Sequence, residues 1–154
     1  MLLSLGIVSS MLIKNKMNRL FKKPHIPFLL AILPVMLLGF LSRGAVLDIN
    51  IHDTYVIIDY GHLAIFSSVL FAIIGISYWA MTKANKKPAT WLSVIHLILT
   101  FGGSLMLLIL HNFYSLDRFA YAFNNLTTAI TLSVLVTLIG QILFPINIVY
   151  GLLK

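Results

Sequence analysis

Four apolar runs separated by short polar stretches set the pattern of this chain. They lie at about Pro24 to Leu41, Val56 to Met81, Trp91 to Leu110 and Leu126 to Tyr150. A helix needs about 20 predominantly apolar residues to cross a bilayer. The pattern therefore predicts an all-α integral membrane protein with four transmembrane helices in one bundle. Pro27 suits a first helical turn, whereas Pro34 in mid-run removes a backbone donor and predicts a kink. Pro145 predicts distortion of the last turns of the fourth helix. Ser42 to Tyr55, SRGAVLDINIHDTY, reads as a polar connection. Residues 1–13, MLLSLGIVSSMLI, are apolar but too short to span, and the basic stretch KNKMNRLFKK follows. Residues 1–23 are thus expected to lie at an anionic membrane surface, with the bundle in 24–154. Positive charge after the apolar run argues against a cleaved signal peptide.

Composition sharpens this picture. Sixty per cent of the 154 residues are hydrophobic and 10% are charged, and mean hydropathy is +1.00. A soluble domain of this size cannot bury so much apolar surface. The balance excludes a water-soluble enzyme and a disordered chain. The absence of cysteine excludes disulfides, thiolate metal sites and thiol catalysis.

Net charge is +7, but the positive residues stand between apolar runs, not on a basic face with interleaved aromatics, so no nucleic acid is expected as a partner. With four spans, both termini fall on one side together with nine of the eleven Lys and Arg residues; Arg43 and Arg118 fall on the other. The positive-inside rule places that basic side in the cytoplasm, as in a bacterial inner membrane. All four acids, Asp48, Asp53, Asp59 and Asp117, fall toward the outer side. No phosphate-binding loop, nucleophile elbow, zinc-protease motif or dinucleotide fingerprint is present.

Ionisable residues inside a span are costly and point to function. Asp59 and His62 are three residues apart and share a helical face with Tyr55 and Phe66. With a helix starting at Val56, His62 would lie roughly 9 Å inside it. An imidazole there can ligate a haem iron, or it can hydrogen-bond Asp59 or a neighbouring helix. His52 and Asp53 form a pair able to contact a divalent cation, though two ligands do not close a site. The alternative is that Asp53 caps the second helix. His96 suits a structural hydrogen bond, and Gly102 and Gly103 allow a second helix to approach closely. His111 lies at the outer end of the third run, and Trp79 and Trp91 read as interfacial anchors.

The segment VLDINIHDTYVIIDYGHLAIFSSVLFAIIGISYW, Val46 to Trp79, resembles subunit I of the haem–copper (cytochrome c) oxidases. The HDTY motif and a histidine seven residues after its tyrosine carry the likeness, with Leu47, Asp48, Phe71, Ala72, Gly75, Tyr78 and Trp79 in register. VIHLILTFGGSLMLLILHNFYSL, Val94 to Leu116, is similar to the family's next helix, one residue shorter between the histidines. The resemblance covers about residues 36–154 and corresponds to the last four of the family's twelve spans.

The resemblance implies that His62 ligates a low-spin haem and that His52 and Asp53 match outer magnesium ligands. His96 and His111 match histidines that do not ligate iron. Arg118 stands where the family has propionate-binding arginines, although LDRFAY departs from the family's GMPRRY. Tyr60 replaces the ligand of the oxygen-reducing haem, and Asp59 replaces an alanine. The copper ligands and the second axial haem ligand belong to spans this chain lacks. No copper and no oxidase activity of its own are expected.

Two readings follow. In the first, the chain binds one haem through His62, with Asp59 as support. The second ligand then comes from another copy, from His111 or from a partner subunit, and the role is electron transfer or sensing. In the second, the chain is a haem-free scaffold or assembly subunit of a respiratory complex. A fragment-encoded oxidase subunit and a transporter are further alternatives. Partners under either main reading are the lipid bilayer and a second copy or other respiratory membrane subunits.

Overall fold

The computed structural model describes residues 23–51, 54–114 and 123–153. Helix α1 spans His25–Leu41, a hairpin is built from β1 (Val46–Ile51) and β2 (Thr54–Asp59), and three helices follow: α2 (Tyr60–Lys83), α3 (Thr90–Tyr114) and α4 (Phe123–Leu153). Tyr60–Lys83, Thr90–Leu110 and Thr128–Leu153 are long and apolar enough to cross a membrane. This is a helical membrane protein. Helix α1 is shorter, with 17 residues or about 26 Å of rise, against a hydrocarbon core of roughly 30 Å. Both α1 and α4 continue as helices through Pro34 and Pro145.

Two helical hairpins make the bundle. Helix α1 lies along α2 and α3 lies along α4, and the pairs meet chiefly through α1–α3 and α2–α4 contacts. Lipid-like apolar surroundings give helices no hydrophobic reason to associate, so close packing at small residues has to hold them. A Cβ on Gly39 would collide with that of Ala64, and one on Gly75 would stand 2.8 Å from Leu29 Cδ2. Gly103 meets Ser133 O and Thr137, and Gly140 would bring a Cβ to 2.6 Å from Thr100 Oγ1. The close approach expected at Gly103 is present; Gly102 has nothing within 4 Å of its Cβ direction. Large apolar side chains such as Leu33, Phe66, Ile98 and Ile142 point outward, as lipid contact requires.

The connection expected at Ser42 to Tyr55 is instead a turn and a β-hairpin. Leu38 and Phe40 carbonyls accept from Ser42 and Arg43, Gly44 adopts φ +87°, and β1 then pairs antiparallel with β2 from Val46↔Asp59 to Ile51↔Thr54. Val56 to Asp59 therefore belong to a strand, and the second helix starts four residues later than its apolar run. β-branched Val56, Ile57 and Ile58 favour the strand.

Helix α2 ends in a left-handed cap. Asn85 has φ 56°, its N–H donates to Thr82 O, and Lys86 N–H donates to Met81 O at 2.9 Å. This is a Schellman motif, and it turns the chain toward α3. The bundle thus has a hairpin end and, opposite, a lysine end at residues 83–90.

Candidate functional site

Asp59 is the last strand residue, with φ −65° and ψ 137°, and its side chain closes the first turn of α2. Asp59 Oδ1 accepts the N–H of Gly61 at 2.8 Å and of His62 at 3.2 Å. It also stands 3.5 Å from His62 Nδ1. Partial desolvation opposes the charge on Asp59. The N–H groups of His62, Gly61 and Gly44, with the neighbouring imidazole, outweigh it and lower the carboxyl pKa from its ordinary value. The cap role expected of Asp53 thus falls to Asp59.

His62 is the third residue of α2, about 3 Å from its start and not 9 Å deep. Its side chain is 72% exposed. Ile65, Phe66, Val69 and Ile73 follow it at helical spacing and are all exposed, so an outward apolar strip continues from the imidazole. Asp59 beside Nδ1 leaves Nε2 outward, the arrangement by which a carboxylate orients a metal-binding histidine. These residues suit one face of a haem: one imidazole nitrogen, a supporting carboxylate and apolar side chains for the ring. Tyr55, expected on the same stripe, lies in β2 instead. Tyr60 is 2% exposed and turned into the core.

The structure brings no second ligand to His62 among the described residues. His25 opens α1 at the lysine end, and His96 is fully buried on α3. No group of three or more His, Cys, Asp or Glu side chains gathers to hold a metal among the described residues. His52, Asp53 and Arg118 lie outside the described residues, as does the side chain of His111.

Sequence reasoning missed a second polar centre around His96. Asn147 Oδ1 accepts the Ala89 N–H at 2.8 Å, which fixes the orientation of the amide. Asn147 Nδ2 donates to Ser93 Oγ at 2.8 Å and to Tyr78 Oη at 3.1 Å. The Tyr78 hydroxyl, which accepts from Asn147, is also hydrogen-bonded to His96 Nδ1 at 3.2 Å, and the imidazole tautomer sets which of the two donates. His96 Nε2 is buried with no hydrogen-bond partner among the described residues. Phe28 and Phe144 flank the ring with centroids at 4.8 and 5.7 Å. The structural hydrogen bond expected of His96 is therefore present, and its partner is Tyr78. The cluster ties α2, α3 and α4 together and caps α3 from a different helix. Asn147, alone and polar in FPINIVY, was the signal in the sequence.

Trp79 and Trp91 are 49% and 65% exposed near the lysine end, where interfacial anchors belong. Compared with known proteins, the chain matches no family model, no curated protein and no solved structure.

Proposed function

We propose that this chain is a small relative of oxidase subunit I that binds a single haem through His62 Nε2 at the hairpin end. The iron's other side is taken by a second copy or another respiratory membrane subunit, and the protein serves electron transfer or redox sensing. The observation that carries this reading is the outward His62 imidazole, with Asp59 Oδ1 3.5 Å from its Nδ1, at the head of an exposed apolar strip. A ligand facing outward calls for a shared site, because no partner for it stands within the described bundle. A two-fold axis would bring two equivalent histidines together, since a symmetric interface repeats each contact.

In this reading Asp59 orients His62 and favours positive charge at the iron. Haem supplies one-electron redox chemistry when bound. Oxygen reduction is left out, because Tyr60 stands in the place of the ligand that chemistry needs in the family the sequence resembles. The same reading takes α1 as a fourth span, with both termini and the lysine end in the cytoplasm of a bacterial-type inner membrane. The charge distribution supports it. A divalent cation at His52 and Asp53 belongs to this proposal as well, resting on the HDTY likeness.

A second reading is a haem-free scaffold or assembly subunit. It is favoured by the Tyr78–His96–Asn147–Ser93 cluster, which braces the bundle without any cofactor. Haemin titration of the detergent-purified protein separates the two. Saturable uptake with a Soret band that His62→Ala abolishes supports the first reading. Identical, non-saturable partition in both proteins supports the second.

A further inference from the structure

The lysine end carries a feature that the haem reading does not use. The α2–α3 connection and the start of α3 form, with α4, a half-open groove of about 960 Å3. Lys86, Lys87, Thr90, Trp91 and Tyr150 are among its lining residues. Lys83, Lys86 and Lys87 fall within five positions, yet no Asp or Glu occurs from Tyr60 to Leu116 or from Phe119 to Lys154. No acidic side chain of these helices can neutralise the lysines. Two of them are engaged within the chain: Lys86 Nζ donates to Leu152 O at 2.9 Å, and Lys83 Nζ lies 5.6 Å from the Trp79 ring centroid. Lys87 is exposed on the groove.

The first turn of α3 adds backbone N–H groups and the positive end of a helix dipole. Asn147 satisfies the Ala89 amide ahead of that turn. Trp91 and Tyr150, 65% and 49% exposed, are amphipathic rings of the kind that sit at headgroup level. Ile95 and Ile146, one helical turn from Trp91 and Tyr150, and Val149 beside Tyr150 are exposed apolar side chains. A basic, aromatic-edged recess joined to a lipid-facing wall matches a molecule with an anionic phosphate at one end and acyl chains at the other.

We infer that this groove seats the headgroup of an anionic phospholipid, its phosphate on Lys87 and the first turn of α3, its upper chains against Trp91 and Tyr150. The site is independent of His62, which lies at the opposite end of α2.

The chain has two tryptophans, so Trp79→Phe leaves Trp91 as a single reporter in the groove. The protein in uncharged detergent is titrated with short-chain phosphatidylglycerol, with phosphatidylcholine of equal chain length, and with inorganic phosphate. A saturable change in Trp91 emission is expected with phosphatidylglycerol. Lys87→Gln should weaken it about fivefold, the worth of one lysine near an anionic surface, and Lys87→Arg should preserve it. Native mass spectrometry of the unsubstituted protein should retain phosphatidylglycerol in preference to phosphatidylcholine. Equal responses to the two lipids would overturn the inference. So would a response to inorganic phosphate matching that to phosphatidylglycerol, which would mark a free-anion site, or an unchanged titration in Lys87→Gln.

Discussion

Asp59 engages His62 twice: its Oδ1 accepts the histidine's backbone N–H at 3.2 Å and stands 3.5 Å from Nδ1 of the ring. One carboxylate therefore starts helix α2 and orients the residue on which the functional reading rests. The two roles separate by substitution. Asp59→Asn keeps an N-cap acceptor and should leave amide exchange at Gly61 and His62 near that of the parent, while removing the charge beside the ring. Asp59→Ala should lose both, with faster exchange confined to the first turn of α2. Equal protection in all three proteins would remove Asp59 as the cap.

The pH dependence of that turn has a definite sign. The folded-state pKa of Asp59 is lowered, so its stabilising contribution is fully present above the unfolded carboxyl value, about 3.9, and is lost as pH falls through the lower folded value. Exchange protection at Gly61 and His62 should stay flat from about pH 8 to pH 5 once intrinsic rates are corrected. It should fall only below about pH 4. Loss of protection near neutral pH would contradict the capping geometry.

The small-residue contacts predict a graded series. Gly140→Leu and Gly103→Leu should each destabilise the bundle by about 1–3 kcal/mol, because the added side chain meets the facing helix near Thr100 or Ser133 and Thr137. Gly102→Ala meets nothing within 4 Å and should be neutral, or stabilising by up to about 1 kcal/mol through helix propensity. Thermal unfolding in detergent reads the difference. A Gly102→Ala loss equal to that of Gly103→Leu would mean the α3 face is assigned wrongly.

The His96 cluster predicts a spectroscopic change and a loss of stability. Tyr78→Phe should remove the hydrogen bond at His96 Nδ1, read as a shift of that nitrogen's NMR resonance. Asn147→Leu removes three hydrogen bonds at once. At roughly 0.6 kcal/mol per side-chain bond in a membrane bundle, it should cost about 2 kcal/mol. An Asn147→Leu protein as stable as the parent would contradict the bracing role of the cluster.

Topology is open to labelling because the native chain has no cysteine. In right-side-out cells, a membrane-impermeant maleimide should modify Gly44→Cys and spare Asn85→Cys. The opposite pattern would invert the proposed orientation, and labelling of both would contradict α1–α2 as a membrane-crossing hairpin.

Much of the fold was legible because an apolar run of helical length leaves a bilayer-embedded backbone no other way to satisfy its hydrogen bonds. The runs at 91–110 and 126–150 fall inside α3 and α4 for this reason. The hairpin is less legible, although Val46–Ile51 and Thr54–Asp59 are rich in Val, Ile and Thr around a two-residue link. Asp48, Asn50 and His52 give the stretch the polarity of a loop, and the apolar VII triplet at 56–58 is continuous with the apolar run of the next helix. A helix starting at Val56 would set His62 about two turns deep, whereas the strand brings it to the first turn. Asp59 and His62 were legible as a pair because their spacing survives a shift in the helix start. The Asn147 cluster was not, because which span faces Tyr78 depends on packing between helices far apart in sequence.

We propose that His62 holds a haem. The most direct test is an oxidised-minus-reduced absorption spectrum of native membranes and of the purified protein, for the parent and for His62→Ala, with extracted haem counted per chain. Sharp low-spin bands are expected in the parent, lost in His62→Ala with its helical content unchanged, with half a haem per chain if two copies share the iron. Parent protein that carries no haem after expression with excess haem precursor, or bands that persist unchanged in His62→Ala, would contradict it.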